Sequence, residues 1–294
     1  MKVLLLGSTG MLGQALYKKL KNKQMRVITI ARSKSDYNVD LIVESEKIIN
    51  IIKMEDPDIV INAAALVNLQ VCEDYPEKAY LLNARIPSFI AEACKEVKAF
   101  FVQISTDHYY IKDGESKHKE SDDVYLVNEY ARTKFAGEFF ALTYSESLIV
   151  RTNIVGFRNK QNKPTFIEWI IDSLENKKLI FGFQDFYTSS IDVYHFADIL
   201  MELIEKKITG IINVASENVL SKYEFIYRLA TLLGKEKYVK RSKMNPLQSV
   251  KRADSLGLDV TKLKDILVEN SIPSSNQVIQ KLVEEYKEGA FREL

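Results

Sequence analysis

A short apolar segment followed by regularly spaced glycines constrains the fold of this 294-residue chain more than any other feature. Residues 2–6 are predicted to form a strand, and Gly7, Gly10 and Gly13 follow it, where helical spacing of apolar residues begins. In such a turn the first glycine permits the tight bend, the second lets the backbone approach a pyrophosphate, and the third lets helix and sheet pack closely. Free N–H groups at the start of the helix then face the phosphates. We therefore expect a dinucleotide-binding unit.

Strand and helix patterns alternate through the first half of the chain. The strand candidates are continuous apolar runs, as expected where helices cover both faces of a sheet. Alternation of this kind requires right-handed crossovers between parallel strands. The sequence therefore predicts an α/β fold with a doubly wound parallel sheet of the Rossmann type. The predicted strands are 2–6, 26–30, 58–62, 99–105 and 147–152, and the predicted helices lie near 11–22, 44–54, 83–97 and 128–144.

The alternating pattern ends after Arg151. From Ser221, which forms a capping-box pattern with Glu224, helical patterns dominate the rest of the chain. Between these two points the chain is expected to leave the sheet and return to it. The patterns there are helical at 165–176, apolar at 179–183, helical at 192–206 and a buried strand at 210–214.

These changes of pattern predict two structural units. Residues 1–156, rejoined by 191–215, are expected to form an NADP-binding Rossmann domain. Residues 157–190 and 216–294 are expected to form a smaller, mainly helical substrate lobe. Because open α/β folds bind ligands outside the carboxyl ends of their strands, we expect the lobe to cover that edge of the sheet.

Charge and cysteine content exclude several classes of protein. Lys+Arg 41 and Asp+Glu 40 give a net charge of +1, which does not support nucleic acid or a membrane surface as the main partner. Cys72 and Cys94 are too few for a disulfide framework or a zinc site, so a cytoplasmic location is expected. The histidines, His108, His118 and His195, lack ligand spacing, so no metal is expected. No apolar run has the length of a secretory signal or a membrane span.

A tyrosine and a lysine four residues apart are candidates for acid–base chemistry. Tyr130 and Lys134 fall within a predicted helix and therefore share one of its faces. The ordinary pKa of a tyrosine hydroxyl is about 10, and a nearby ammonium would lower that pKa toward neutrality. The three lysine donors can also hold a ribose hydroxyl. We therefore expect Tyr130 to transfer a proton, with Lys134 supporting it.

Polar and small side chains follow two neighbouring predicted strands. Ser105, Thr106 and Asp107 end one strand, at the edge where a doubly wound sheet holds reactive groups. A hydroxyl there can hydrogen bond to a substrate carbonyl oxygen while Tyr130 donates the proton. The run Ala63-Ala64-Ala65 ends the preceding strand, and its small side chains let a flat ring or a ribose lie against the backbone.

The end of the second predicted strand bears on the choice of cofactor. NAD-specific sites usually place an acid there to bind the ribose hydroxyls. Here Arg32 ends the strand, Lys34 follows, and no acid occurs before Asp36. A guanidinium pairs well with phosphate oxygens. We therefore expect NADP(H) to be preferred, with NAD(H) as the alternative.

Together these motifs resemble the extended short-chain dehydrogenase/reductase superfamily, and they are most similar to the dTDP-4-dehydrorhamnose reductase family, which makes nucleotide-activated 6-deoxysugars. The resemblance extends over nearly the whole chain. The glycine, tyrosine and lysine motifs mark the superfamily, and the others mark the reductase branch. The matching residues are Gly7-x-x-Gly10-x-x-Gly13, Asn62-Ala63-Ala64-Ala65 with Glu73 and Asn83, Ser105-Thr106-Asp107, Tyr130-x-x-x-Lys134, Arg151-Thr152 and Leu258-Asp259-Val260-Thr261-Lys262-Leu263.

The resemblance implies a catalytic trio of Thr106, Tyr130 and Lys134. A nicotinamide cofactor would pass hydride to the 4-keto carbon of a nucleotide-linked 6-deoxyhexose while Tyr130 supplies the proton. Asn83 would support a proton relay. From the motifs and the resemblance together, the cofactor-binding candidates are Gly7, Thr9, Gly10, Met11, Leu12, Gly13, Arg32, Asp40, Leu41, Ala63, Ala64, Ala65, Tyr130 and Lys134.

Several positions depart from the pattern of that family. His108 replaces the usual tyrosine after Ser-Thr-Asp, and Asn153 begins a segment that lacks the usual tryptophan. Val67 and Gln70 replace a threonine and an aspartate. The fold and the hydride chemistry are compatible with these changes, but dTDP-rhamnose as the product does not follow. For His108, a partly exposed loop residue is the alternative to a substrate contact. The candidate substrate contacts are Val67, Asp107, His108 and Asn153.

Three functions stay open at this point. The leading one is an NADPH-dependent reductase of a nucleotide-linked 4-keto-6-deoxyhexose that serves polysaccharide synthesis. The second is a sugar-nucleotide epimerase or dehydratase with permanently bound NAD⁺, although the missing glutamate after Thr106-Asp107 argues against dehydration. The third is a non-catalytic NADP-binding regulatory subunit of a methionine adenosyltransferase, which would have no need of Tyr130 with Lys134. The C-terminal apolar pattern around Leu282 fits ordinary packing or a homodimer surface.

Overall fold

The computed structural model describes residues 1–160, 163–244, 250–267 and 271–289. Its helices are α1 (Met11–Asn22), α2 (Lys47–Glu55), α3 (Leu69–Asp74), α4 (Pro76–Tyr80), α5 (Ile86–Val97), α6 (Glu129–Leu142), α7 (Phe166–Glu175), α8 (Val193–Glu205), α9 (Lys222–Leu232), α10 (Thr261–Ile266) and α11 (Ser275–Lys287). Its strands are β1 (Lys2–Leu6), β2 (Arg26–Ala31), β3 (Tyr37–Asn38), β4 (Ile59–Asn62), β5 (Phe100–Ile104), β6 (Lys117–His118), β7 (Ser147–Thr152), β8 (Ile154–Val155), β9 (Ile180–Phe183), β10 (Tyr187–Thr188), β11 (Ile191–Asp192), β12 (Gly210–Val214), β13 (Leu220–Ser221), β14 (Val239–Ser242) and β15 (Ser255–Leu258).

Seven parallel strands form the central sheet in the order β12-β7-β5-β4-β1-β2-β3. The chain builds outward from β1 to β3 and then returns to the other side of β1 with β4. Side chains of the strands alternate between two apolar clusters, so Leu5 packs in one while Leu4 and Leu6 pack in the other. The doubly wound fold predicted from the alternating pattern is confirmed. The switch point between β1 and β4 is where such folds bind ligands.

The largest difference from the predicted elements lies between residues 69 and 97. Instead of a single helix near 83–97, two short helices, α3 and α4, precede a π-helical turn at Leu81–Arg85, and α5 begins at Ile86. Apolar spacing cannot reveal such a turn, because one wider turn changes the hydrogen-bond pattern while the same helix face stays buried. Asn83 lies in the π-helical turn, a feature that is frequent at functional sites.

The chain after β8 combines helices with short strands. β9 pairs with β14, while β13, β10 and β15 form a four-stranded sheet with β6, which comes from the segment between β5 and α6. The sequence pattern indicated a mainly helical lobe here, but it does not reveal most of these strands, because they are two to four residues long and leave little periodic signal. The capping box predicted at Ser221 and Glu224 is confirmed at the start of α9. The division into a domain of 1–156 with 191–215 and a lobe of 157–190 with 216–294 stays a prediction.

Candidate active site

The glycine turn between β1 and α1 is packed closely against the sheet. Gly7 has a φ of +76°, and a Cβ there would lie 2.8 Å from the carbonyl carbon of Ala63. A Cβ on Gly13 would lie 2.1 Å from the Gly7 carbonyl oxygen. Gly10 precedes α1 with no side-chain cap, so the first N–H groups of the helix keep their donors for a ligand. The turn therefore has the geometry that the glycine spacing indicated.

A cavity of about 270 Å³, here called the nucleotide cavity, lies beside this turn at the switch point of the sheet. Of the other predicted cofactor residues at the turn, Leu12 and Gly13 are buried and Met11 begins α1. The cavity also includes Arg158 and Lys160, which sequence analysis did not assign to the site because nothing distinguishes them from other surface cations. The predicted residues in its lining are Gly7, Thr9, Gly10, Arg32, Asp40, Leu41, Ala63, Ala64 and Ala65.

Two side chains fix the start of α6, the helix that carries Tyr130 and Lys134. Asn128 and Glu73 accept hydrogen bonds from backbone N–H groups in the first turn of this helix, each at 2.8 Å. These bonds satisfy donors that a helix cannot satisfy itself. Lys134 Nζ donates to the carbonyl oxygen of Ile104, the last residue of β5, at 2.7 Å. The lysine therefore lies at the carboxyl edge of the sheet, and its contact with the cofactor stays a prediction.

Tyr130 is half-buried and lies next to Thr106 and Asp107, two residues that follow β5. Burial raises the pKa of Tyr130 well above its ordinary value, a hydrogen bond with Thr106 lowers it, and the charge of Asp107 raises it again. Burial also lowers the pKa of Lys134 to about 8. The expectation that Lys134 lowers the pKa of Tyr130 is therefore not met, because the ammonium is directed at a backbone carbonyl. At neutral pH the phenol is protonated and can act as a proton donor.

Asp107 and Asn153, two of the predicted substrate contacts, are hydrogen bonded to each other. The Asn153 amide donates to the Asp107 carboxylate at 2.8 Å. Burial raises the pKa of Asp107 to about 7, while the bond from Asn153 and the charge of Lys222 oppose that increase. The structure thus brings Thr106, Asp107, Asn153 and Tyr130 into one polar cluster.

The side chain of His108 is buried and packs against the ring of Tyr130. Its side chain is 8% exposed, and its ring meets that of Tyr130 edge-on at a centroid distance of 5.9 Å. Its backbone N–H donates to Thr106 Oγ1 at 3.2 Å, and its Nε2 accepts from the Ala253 N–H at 3.4 Å. Burial, with the charge of Arg252, lowers the pKa of His108 to about 4, so the ring is neutral at pH 7. The alternative of a partly exposed loop histidine is therefore wrong.

Other motif residues form a buried ion-pair network beneath the site. Ser105 donates to Glu138 at 2.5 Å, and Arg151 pairs with the same carboxylate at 2.7 Å. The side chains of Arg151 and Glu138 are only 3% and 1% exposed. Arg151 also donates to the Tyr110 hydroxyl at 3.2 Å. Ser105 and Arg151 therefore stabilise the strand ends that hold Thr106 in place.

Asn83 connects the loop after β4 to α6. Its amide forms two hydrogen bonds with the Leu66 backbone, at 2.8 and 3.0 Å, and donates to Thr133 Oγ1 at 3.2 Å. A Cβ on Gly137 would lie 2.1 Å from the Asn83 carbonyl oxygen, so α6 packs directly on the π-helical turn. Asn83 is thus a positioning residue in this structure, and its part in a proton relay stays a prediction. Val67, in the same loop, is 65% exposed, and its contact with substrate also stays a prediction.

Lys222, which sequence analysis missed, brings a positive charge from the start of α9 into the site. Its Nζ lies 4.4 Å from the ring centroid of Phe166 and 5.8 Å from that of Phe186. Among the described residues, its ammonium takes part in no hydrogen bond or close ion pair. Burial lowers the pKa of Lys222 to about 8, and the charge of Asp107 partly opposes that decrease. A lysine directly after a helix-capping serine is so common that the sequence offered no signal here.

Other groups with functional potential are few. The described residues contain no cluster of three or more His, Cys, Asp or Glu side chains that could hold a metal ion. Cys72 and Cys94 are buried free thiols, and burial raises the pKa of Cys72 to about 11, as expected for an unreactive thiol. Within the same parts of the chain, every helix is too short or too polar to cross a membrane.

The sequence matches the family described as the RmlD substrate binding domain over residues 1–287. A probable low-salt glycan biosynthesis reductase, Agl14 from Haloferax volcanii, is 26% identical over 239 residues, which cover 78% of this chain and 79% of the relative. The structure of a hypothetical dTDP-4-dehydrorhamnose reductase from Sulfolobus tokodaii is 31% identical and superposes with a TM-score of 0.83, covering 92% of this chain and 97% of that one.

A more distant structure shows the same fold. The dTDP-4-dehydrorhamnose reductase from Bacillus anthracis, solved in complex with NADP, is 21% identical with a TM-score of 0.86, covering 97% of this chain and 99% of that one. The resemblance identified from the glycine turn, the Ser-Thr-Asp segment and the Tyr130–Lys134 pair is confirmed. The chain belongs to the RmlD substrate binding domain family, whose named reductases are NAD(P)-dependent oxidoreductases.

Proposed function

We propose that this chain uses NADPH to reduce the 4-keto group of a nucleotide-activated 6-deoxyhexose, as a step in the synthesis of sugar nucleotides for polysaccharides. The observation that carries this proposal is the position of Tyr130. Its protonated phenol lies beside Thr106 at the end of β5, next to β4, whose continuation lines the nucleotide cavity. A proton donor and a second hydroxyl at that point can both hydrogen bond to the carbonyl oxygen of a substrate.

Three residues of this chain would each have a distinct role in the reaction. NADPH, when bound, supplies the hydride. Tyr130 donates its proton to the carbonyl oxygen as the alcohol forms, and the transfer is favourable because an alkoxide is far more basic than a phenolate. Thr106 donates a hydrogen bond to the same oxygen, and Lys134 holds a ribose hydroxyl at the edge of the sheet.

The cavity residues support a preference for NADPH. Arg32 lines the nucleotide cavity, where a guanidinium can pair with a 2′-phosphate. Asp36, the first acid after β2, accepts hydrogen bonds from the Thr29 N–H at 2.8 Å and the Thr29 hydroxyl at 2.7 Å. Its carboxylate is therefore engaged and does not offer the ribose contact of an NAD-specific site. Asp40, the one acid in the described cavity lining, accepts from the Ile42 N–H at 3.0 Å.

The direct test is NADPH oxidation that depends on a nucleotide-linked 4-keto-6-deoxyhexose. Tyr130→Phe removes the proton and is expected to lower kcat by about a thousandfold while NADPH still binds. Tyr125→Phe is the matched control, because Tyr125 is 53% exposed and lies outside the site. Turnover of Tyr130→Phe at the wild-type rate would contradict the assigned acid.

The nucleotide and the class of reaction are tested separately. A thermal-shift panel of dTDP-, UDP-, GDP- and CDP-linked sugars with NADPH present reports which nucleotide stabilises the protein, since a ligand stabilises only the state it binds. A cofactor that stays bound through gel filtration would indicate an epimerase and oppose the reductase. A stable complex with a methionine adenosyltransferase and no turnover of any keto-sugar would indicate a regulatory subunit.

A further inference from the structure

Arg158 and Lys160, in the loop after β8, line two adjoining cavities at the glycine turn. One is the nucleotide cavity. The other, here called the outer cavity, has a volume of about 740 Å³ and also contains Ser33, Lys34 and Ser35 from the segment after β2. Because Rossmann folds bind the adenosine ribose near the end of the second strand, the outer cavity is placed to receive a group on that ribose.

Hydrogen bonds to a buried glutamate and to a surface amide hold this loop in place. Glu168, 1% exposed on α7, accepts hydrogen bonds from the N–H groups of Arg158 at 2.6 Å and Asn159 at 2.7 Å. The Gln14 amide lies 3.2 Å from the Thr9 carbonyl oxygen and 3.3 Å from the Arg158 carbonyl oxygen, so it links the loop to the glycine turn. The two cations are therefore presented from a backbone that is tied to the cofactor site.

Positive charge in the two cavities exceeds the negative charge available to pair with it. The two acids, Asp36 and Asp40, accept hydrogen bonds from backbone N–H groups. Among the ion pairs of the described residues, none joins a carboxylate to any of the cavity cations. Arg158 donates to the Lys163 carbonyl oxygen, and its Nε is buried without an acceptor in the described part of the chain. The cavity cations are Arg32, Lys34, Arg158 and Lys160.

Unpaired cations and hydroxyls around one cavity suit a phosphate dianion. We propose that Arg158 and Lys160 complete the binding site for the 2′-phosphate of NADPH, opposite the Ser33–Ser35 segment. This inference rests on the proposed NADPH preference. In this arrangement, both the loop after β8 and Arg32 at the end of β2 discriminate between NADPH and NADH.

The test is the dissociation constant of NADPH and of NADH, measured by nicotinamide fluorescence without any sugar substrate. Arg158→Ala and Lys160→Ala are each expected to weaken NADPH binding about tenfold and NADH binding less than twofold. Lys240→Ala, an exposed lysine on β14, is the control and should change neither constant. Competition by 2′,5′-ADP should weaken in parallel with NADPH in both cavity variants.

An equal loss of NADPH and NADH binding would overturn the proposal, because the cations would then contact the pyrophosphate. Unchanged constants would also overturn it. Arg32→Ala separates this failure from failure of the NADPH preference itself: if Arg32→Ala reduces the preference and the loop variants do not, only the role of the loop is wrong. Lys160→Ala keeps the test valid if Arg158→Ala destabilises the loop, because the Lys160 ammonium has no partner among the described residues.

Discussion

The nucleotide side of this site and its substrate side are built from different parts of the chain. Around the nucleotide cavity, backbone geometry dominates. Gly7 has a positive φ, and a Cβ added to Gly13 would lie only 2.1 Å from the Gly7 carbonyl oxygen. Around Tyr130, side-chain charge dominates, since Asp107 is buried, Lys222 is half-buried and neither has its ordinary pKa. The glycine turn therefore accepts few residue types, whereas a site formed by side-chain charge, such as the one around Tyr130, can change its ligand through single substitutions.

The largest expected effect on ligand binding is at the glycine turn. Gly7→Ala would place a Cβ 2.8 Å from the Ala63 carbonyl carbon at a φ of +76°, so the turn must move away from the cavity. We expect NADPH binding to weaken about a hundredfold or more, which corresponds to roughly 3 kcal/mol. Titration of NADPH fluorescence, with thermal unfolding to confirm the fold, measures this.

Gly234→Ala is the matched control for that variant. Gly234 also has a positive φ of +67°, but no atom lies within 4 Å of an added Cβ. It should therefore lose about 1 kcal/mol of stability from backbone strain alone and keep its affinity for NADPH. If both variants bound NADPH equally well, close packing at Gly7 would not be what forms the nucleotide side.

An intermediate effect is expected on the substrate side. Lys222→Met keeps an apolar contact with Phe166 and Phe186 but removes an ammonium that has no hydrogen-bond acceptor among the described residues. We expect the KM for the nucleotide sugar to rise about tenfold, as for the loss of a charge-assisted hydrogen bond, with an unchanged NADPH dissociation constant. Lys222→Arg should recover part of the loss. A KM unaffected by Lys222→Met would place the sugar away from α9.

The central sheet could be predicted because its strands are long apolar runs buried on both faces. Each of the five strands predicted in the first half of the chain corresponds to a strand of the seven-stranded sheet. The short strands after β8 could not be predicted, because segments such as Tyr187–Thr188 are too brief for a period of two to be visible. The π-helical turn at Asn83 was missed for a related reason, since a helix pattern does not record the width of a single turn.

The same contrast explains what could be predicted of the site. Glycine spacing and the Tyr130–Lys134 pair are local patterns, so the turn and the helix face were visible in the sequence. The charge of Lys222 acts on Asp107 only because the tertiary fold brings the start of α9 near the end of β5, and no local pattern records such a long-range interaction. Likewise, Lys134 bonds a strand-end carbonyl, which could not be seen from its spacing to Tyr130.

The smallest expected effect is on the pH dependence of stability. The pKa of Asp107 is about 7 in the folded protein against an ordinary 3.8, so the folded state holds more protons than the unfolded state between about pH 4 and pH 7. The contribution of Asp107 to stability therefore falls as pH rises through that window. Lys222 acts at higher pH: its folded pKa of about 8 lies below the ordinary 10.5, so its contribution rises between these values.

Asp107→Asn removes the first of these two dependences. The free energy of unfolding, measured in urea, should fall between pH 5 and pH 7.5 in both proteins. The decrease should be smaller in Asp107→Asn than in the wild type, by on the order of 1 kcal/mol. Asp113→Asn, at an exposed position, should follow the wild-type curve because the rest of the titrating groups are shared. Parallel curves for all three proteins would mean that Asp107 is well solvated, and the substrate side would then not depend on buried charge.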